Sequence, residues 1–208
     1  MKQKYLVGID EVGRGPLAGP VAVGVALVSV DFDWSLLPGV TDSKKLTPEK
    51  RGLIFASAKK LKTAGKLDYE VVYTSAAKID TLGIVPAITK ALESALRKVA
   101  KRHSLASQNT LIYLDGGLRA PLAYLEQETI IKGDLKVPII GLASIIAKVT
   151  RDTYMIRLGK KVAYARYDFA THKGYGTKMH RQALVKYGVS PEHRLGFCRN
   201  FSVKSGLE

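Results

Sequence analysis

The chain has 208 residues, 46% of them apolar, and 33 basic against 18 acidic side chains, for a formal charge of +15. That length suits one domain, or one with a small appendage, and permits a substantial core; the charge favours a polyanionic partner, nucleic acid foremost. The longest apolar run, Val21 to Val30, is too short to span a bilayer, no charged-then-apolar leader is seen, and a single cysteine, Cys198, excludes an internal disulfide, so a soluble cytoplasmic protein with no membrane partner is expected.

A first strand is expected over residues 4–10, from Tyr5, Leu6, Val7 and Ile9. It runs into Asp10 and Glu11, and Gly13, Arg14, Gly15, Pro16 and Gly19 follow. Acids closing a core strand are costly unless a cation or hydrogen bonds receive them, and nearby glycines admit a ligand or a second backbone. Neighbouring strand residues face opposite ways, so Asp10 and Glu11 share one site only where the chain bends, and Gly13 is the expected bend. The plain alternative is a solvated turn with an acidic lip; the coincidence of acids, glycines and a lone arginine favours a metal site over it.

Val21–Val30 reads as a second strand and Phe32–Val40 as a loop. Thr47-Pro48 reads as an N-cap followed by proline at the first helical position, opening a helix with Leu53, Ile54, Ala58 and Leu61 on its apolar side and Gly65 at its end. Lys66–Thr74 alternates as a half-buried strand, completing an antiparallel meander with one helix inserted. Ile84, Ile88, Leu92, Leu96 and Val99 mark a second helix; the basic cluster Arg97, Lys98, Lys101 and Arg102 at its end reads as a complement to the helix dipole. Thr110–Leu114 is a buried strand ending at Asp115-Gly116-Gly117, and a short helix near Ala120–Leu125 and a strand near Thr129–Lys132 follow. A helix from Leu142 to Leu158 and another near His180–Tyr187 complete a pattern that predicts an α/β fold with a mixed sheet.

Asp115 repeats the architecture of Asp10, an acid closing an apolar strand. On the long helix Leu142, Ile145, Val149, Asp152 and Ile156 recur at three- and four-residue spacing, so Asp152 falls along or at the edge of the buried stripe. Ser144 and Lys148 precede it on a similar face, and an ion pair with Lys148 is the rival explanation. Four carboxylates without a matching His or Cys set call for a hard cation, Mg²⁺ or Mn²⁺. Two such ions can hold a scissile phosphate, activate water and stabilise the departing oxygen. Gly13-Arg14-Gly15 offers close backbone approach, and backbone groups can read a 2′-hydroxyl. Asp42-Ser43-Lys44-Lys45 precedes a helix start, where hydroxyl, ammonium and backbone donors suit phosphates. His172-Lys173-Gly174-Tyr175-Gly176-Thr177 joins basic groups, glycines and an aromatic ring that can stack on a sugar or base. His172, His180, His193 and Cys198 match no compact zinc spacing.

The segments GIDEVGRGPLAGPV, DSKKL, DGG, ASIIAKVTRD and HKGYGT, in that order, resemble ribonuclease HII, the bacterial type 2 ribonuclease H, over nearly the whole chain. The resemblance implies a ribonuclease H-like fold: a central five-stranded mixed sheet flanked by helices in residues 1–160, and a mainly helical appendage, residues 161–208, contributing to substrate binding. It implies that Asp10, Glu11, Asp115 and Asp152 are the catalytic, metal-binding acids of a two-metal endoribonuclease, and that Tyr175 packs on the deoxyribose beside a ribonucleotide. Gly13, Arg14, Gly15, Ser43, Lys44, Lys45, Ser144, Lys148, Lys173 and Tyr175 form the expected substrate-binding set. The expected substrates are RNA–DNA hybrids and duplex DNA with embedded ribonucleotides, cut to leave 5′-phosphate and 3′-hydroxyl ends by a monomer. Leu142 replaces an alanine usual in the family, and Gly196 stands where a serine commonly precedes the phenylalanine. A dinucleotide-binding enzyme is disfavoured because its phosphate would lie beside Asp10 and Glu11 and the glycine spacing is wrong. A non-catalytic nucleic-acid-binding protein leaves Asp152 unexplained.

Overall fold

A computed structural model describes residues 4–40, 43 and 45–201; Asp42 and Lys44, both of the expected phosphate-binding loop, lie outside the described residues. The strands are β1 (Tyr5–Val12), β2 (Val21–Ser29), β3 (Leu67–Thr74), β4 (Thr110–Asp115) and β5 (Gln127–Ile130). The helices are α1 (Pro48–Thr63), α2 (Ala76–Leu82), α3 (Ile84–His103), α4 (Gly133–Lys136), α5 (Pro138–Gly159), α6 (Phe169–His172), α7 (Lys178–Tyr187) and α8 (Leu195–Cys198). The chain divides into two compact units, one formed by the segments ending at Val12, Ala22–Tyr73 and Ile88–Thr150, the other by Gly13–Val21, Thr74–Ala87 and the residues from Arg151 onward.

The first unit carries a mixed five-stranded sheet in the order β3-β2-β1-β4-β5, flanked by helices. β1 pairs antiparallel with β2 and parallel with β4, which pairs parallel with β5. Val21–Val28 of β2 is buried on both faces, which explains its unbroken apolar run. Two glycines bring α5 onto the sheet: a Cβ at Gly8 would lie 2.2 Å from the Ile139 carbonyl oxygen, and one at Gly24 2.6 Å from that of Ala143. Side chains there would push the helix away, so these glycines set how near α5 comes to β1 and β2.

Three local expectations need correction. On α1 Ile54 and Ala58 are buried, but Leu53 is 70% exposed, because adjacent helical residues diverge by about 100° and Leu53 falls off the face that Ile54 buries. No helix forms near Ala120–Leu125: the Tyr124 amide donates to the Pro121 carbonyl at 3.0 Å in a tight turn, and the Ala120 carbonyl, which that amide would pair with in an α-helix, instead accepts from the Gln127 side chain at 3.3 Å. The basic end of α3 does more than complement a dipole, since Arg102 binds Asp68 and Glu70 of β3 and Lys98 binds Glu70.

The second unit is discontinuous in sequence. Ala18, Met155, Leu158, Tyr167 and Phe169 form one of its apolar clusters, and Leu17, Leu184 and Cys198 form another. The α5 stripe changes course here: its buried positions are Arg151, Met155 and Leu158, whereas Ile156 is 36% exposed. Arg151 takes the inward place because acceptors await it, the Pro20 carbonyl at 2.8 Å and the Ala18 carbonyl at 3.3 Å. No helix among the described residues is long and apolar enough to cross a membrane.

Candidate active site

In the first unit the site starts from strand register. Ile9 of β1 pairs with Leu114 of β4 in a parallel ladder, so the next residues on the two neighbouring strands are Asp10 and Asp115. The antiparallel ladder of β1 with β2 runs unbroken through Asp10 and Glu11, paired with Gly24 and Val23, and Gly13, with φ +89°, follows just past the strand. Asp10 is 5% exposed and its Oδ1 accepts from the Glu11 amide at 2.7 Å. Its carboxyl also accepts from the Ser144 hydroxyl of α5, which in turn meets the buried Ser43 hydroxyl at 2.8 Å. The Ser43 end is anchored by Arg51, which donates to the Ser43 and Leu46 carbonyls at 2.6 Å each. Asp115, half-buried, accepts from the Gly133 amide at 2.7 Å.

Burial pushes the Asp10 carboxyl up to about 8, the Ser144 bond opposes this, and the charges of Glu11 and Asp115 add to it. Asp10 therefore feels both neighbouring acids. Among the described residues no three His, Cys, Asp or Glu side chains are grouped as a coordination shell. Mutually repelling oxygen donors around a buried carboxyl nevertheless fit a hard divalent cation, whose charge reverses the repulsion. Lys148 is half-buried one helical turn past Ser144, and Lys45 is exposed.

In the second unit Gly13 and Gly15 differ. A Cβ on Gly13 would lie 2.2 Å from Arg151 Nε, whereas one on Gly15 would meet nothing within 4 Å. Gly13 is buried; Arg14 and Gly15 are exposed. Tyr175 is 39% exposed, with the Arg151 guanidinium 5.7 Å from its ring centroid. Lys173 bonds the Ala170 and Thr171 carbonyls, and Asp152 is half-buried on α5, one turn after Lys148.

The remaining histidines gather around Phe169. His172 and His180 stack with centroids 4.2 Å apart, and His180 Nε2 lies 3.0 Å from His193 Nε2. All six ring nitrogens are engaged by protein groups: His172 with Gly174 and Tyr167, His180 with Tyr175 and His193, His193 with Ser190. Burial pushes His180 and His193 down to about 4, so both rings are neutral near pH 7.

The family model for ribonuclease HII matches residues 7–203. The chain belongs to the ribonuclease HII family. It is 42% identical over 191 residues to "Ribonuclease HII" of Trichodesmium erythraeum, covering 91% of this chain and 85% of that relative. Among solved structures it resembles the ribonuclease H2 from Pyrococcus horikoshii (TM-score 0.67, 28% identity, 95% of this chain and 96% of that one). It also resembles a PCNA:RNase HII complex from Archaeoglobus fulgidus (TM-score 0.71, 25% identity, 96% and 98%). The sheet and its helices are thus the ribonuclease H-like fold, and the chain is an endoribonuclease, a hydrolase of a divalent-metal-dependent family acting on RNA–DNA hybrids.

Several residues that shape one or the other unit of this ribonuclease HII escaped the sequence reading. Gly8 and Gly24 seat α5, and a glycine inside an apolar strand was their available signal. Arg194, 0% exposed, donates to the carbonyls of Gly13, Arg14 and Gly19, yet nothing in its local sequence distinguishes it from a surface arginine.

Proposed function

We propose that this endoribonuclease, besides cutting the RNA strand of hybrids, incises duplex DNA on the 5′ side of an embedded ribonucleotide and leaves 3′-hydroxyl and 5′-phosphate ends. The observation that carries the reading is the strand register that sets the buried Asp10 next to Asp115, with Glu11 following it in the chain; burial and both neighbouring charges push the Asp10 carboxyl up. A carboxyl so placed is discharged by a proton or by a cation, and the donor set suits Mg²⁺ or Mn²⁺. We assign Asp10, Glu11, Asp115 and Asp152 as the acids that hold two such ions. Asp10, Glu11, Asp115 and Asp152 would hold these ions where their charge would activate a water and stabilise the departing oxygen. The protein's part is orientation: Ser43 and Ser144 fix Asp10, and the Gly133 amide fixes Asp115.

The assigned substrate contacts divide by chemistry. Ser43, Lys44, Lys45, Ser144, Lys148 and Lys173 serve phosphates, Gly13, Arg14 and Gly15 read the ribose 2′-hydroxyl, and Tyr175 packs on the next sugar. The open space at Gly15 and the exposure of Tyr175 support the last two assignments. Residues 161–208 thereby contribute to substrate binding. A monomer in a reducing cytoplasm agrees with a buried lone Cys198, whose thiol burial pushes up to about 11.

The test is a DNA duplex with one ribonucleotide, incubated with and without Mg²⁺, and the cut mapped. Metal-dependent incision at the phosphate 5′ to the ribonucleotide, with the all-DNA duplex intact, is expected. Cleavage of all-DNA duplex would remove ribose reading, and cleavage under exhaustive chelation would remove the metal.

A further inference from the structure

Two loops of the second unit, Gly13–Gly15 and the one carrying Tyr175, are tied to a single short segment. Glu192–Arg194 runs beside Leu17–Gly19: Ala18 and His193 form an antiparallel bridge, the Gly19 amide donates to the Glu192 carbonyl at 2.8 Å, and the Arg194 amide to the Leu17 carbonyl at 2.8 Å. From that anchor the buried Arg194 side chain spreads over the loop backbone. Its Nη2 donates to the Gly13 carbonyl at 2.7 Å, its Nη1 to that of Arg14 at 2.9 Å and its Nε to that of Gly19 at 2.9 Å.

Peptide units are planar and trans, so the N–H of each unit points opposite its C=O. Holding the Gly13 and Arg14 carbonyls inward turns the Arg14 and Gly15 amides away from Arg194, toward the side where those two residues are exposed. A rigid planar fork satisfies three carbonyls at fixed spacing, which a flexible ammonium does not. Burying a guanidinium on carbonyls alone is a costly way to gain stability and an effective way to fix geometry.

The preceding residue reaches the other loop. The Ser190 amide donates to His193 Nδ1 at 2.8 Å, which leaves the proton of the neutral ring on Nε2, facing His180 Nε2 at 3.0 Å. His180 then carries its own proton on Nδ1 and donates to the Tyr175 carbonyl at 3.0 Å. Both ends of this chain demand the same direction, because an amide only donates and a carbonyl only accepts.

We propose that His193 and Arg194 are a positioning pair: Arg194 aims the amides of the Gly13–Gly15 loop, and His193, through His180, sets Tyr175, so one segment of the chain fixes both ribose-reading elements. The inference rests on the proposed reading of these loops and adds the residues that hold them.

Arg194→Lys keeps the charge and loses the fork. The affinity ratio between a duplex with one ribonucleotide and the all-DNA duplex, measured in chelator, should fall about tenfold, since bonds to charged groups are involved. All-DNA affinity should stay unchanged because the charge is kept. A preserved ratio in folded Arg194→Lys, or an equal loss on both duplexes, would overturn the Arg194 role; should that variant not fold, Arg194→Gln is read the same way. For His193, the Phe variant keeps an aromatic ring beside Tyr167 and Phe169 but loses both nitrogens. Its loss of incision should vanish in a Tyr175→Ala background, and additive losses would show that His193 does not act through Tyr175. Tyr175→Ala and Gly15→Ala alone keep the two claims apart: wild-type incision by both would defeat the reading of the loops, whereas impaired incision by either, with an unaffected Arg194→Lys and additive losses for His193→Phe, would defeat the positioning pair alone.

Discussion

Asp10 and Asp68 lie on strands of the same sheet, each is 5% exposed, and each accepts a 2.7 Å bond from the amide of the following residue. Burial pushes both carboxyls up, but the outcomes are opposite. Around Asp68 stand Lys62 at 2.8 Å, Arg102 at 2.7 Å and His103 at 2.9 Å, and their hydrogen bonds outweigh burial and hold its carboxyl well below the usual range. Around Asp10 the acting charges are Glu11 and Asp115, which add to burial. A buried acid surrounded by the protein's own cations is a structural ion cluster; one surrounded by acids favours a proton or a cation from outside. Desolvation is common to both, so neighbouring charge decides which kind a buried carboxylate is.

The sharpest way to break this contrast is to neutralise each acid. Asp10→Asn should lower turnover by roughly 10²- to 10³-fold or more at saturating divalent metal, with substrate binding retained. Steady-state cleavage of a single-ribonucleotide duplex measures this, and near-wild-type turnover would place Asp10 with the structural acids. Asp115→Asn should behave alike.

A second, smaller effect separates two glycines in the same way. Gly15→Ala enters open space and should leave stability near wild type while lowering incision roughly tenfold to a hundredfold by displacing the ribose. Gly13→Ala forces a side chain into φ +89° against Arg151 and should cost about 1–3 kcal/mol of stability, read by urea unfolding.

Asp68→Asn should destabilise by about 1–3 kcal/mol and leave turnover per folded molecule unchanged. The pH dependences of the two acids should also oppose each other. A folded carboxyl lowered below its ordinary 3.8 gives Asp68 a stabilising contribution that is present above that value and lost as pH falls. A carboxyl raised to about 8 gives Asp10 the reverse: its contribution is present below 3.8 and lost as pH rises through 8. In chelator, urea unfolding of wild type should therefore lose stability relative to Asp10→Asn as pH rises from 3.8 to about 8, with a slope of at most about 1.4 kcal/mol per pH unit. Parallel curves for wild type and Asp10→Asn would remove the distinction.

The smallest effect concerns Lys45, an exposed cation. Lys45→Ala should make the log–log salt dependence of hybrid binding shallower by about 0.7–0.9 if one phosphate contact is lost. An unchanged slope would assign Lys45 to the solvated surface.

The sequence by itself determined the strand that leads into Asp10 and Glu11, the capped start of α1 at Thr47-Pro48 and the apolar period of α3, because each is written in neighbouring residues as alternation, a capping pair or a 3.6-residue repeat. It also determined which acids are candidates, since an acid closing an apolar strand is visible within a few positions. Only the tertiary structure decided that β1 and β4 run parallel and bring Asp10 beside Asp115, that Gly8 and Gly24 seat the helix carrying Ser144, and that Asp68 meets Lys62, Arg102 and His103. The same holds for Arg194, whose acceptors at Gly13 and Arg14 lie 181 and 180 positions away. Local patterns record what a residue needs of its immediate neighbours; the desolvation of a charge and the partners that answer it arise when distant segments pack, and no short window of sequence contains them.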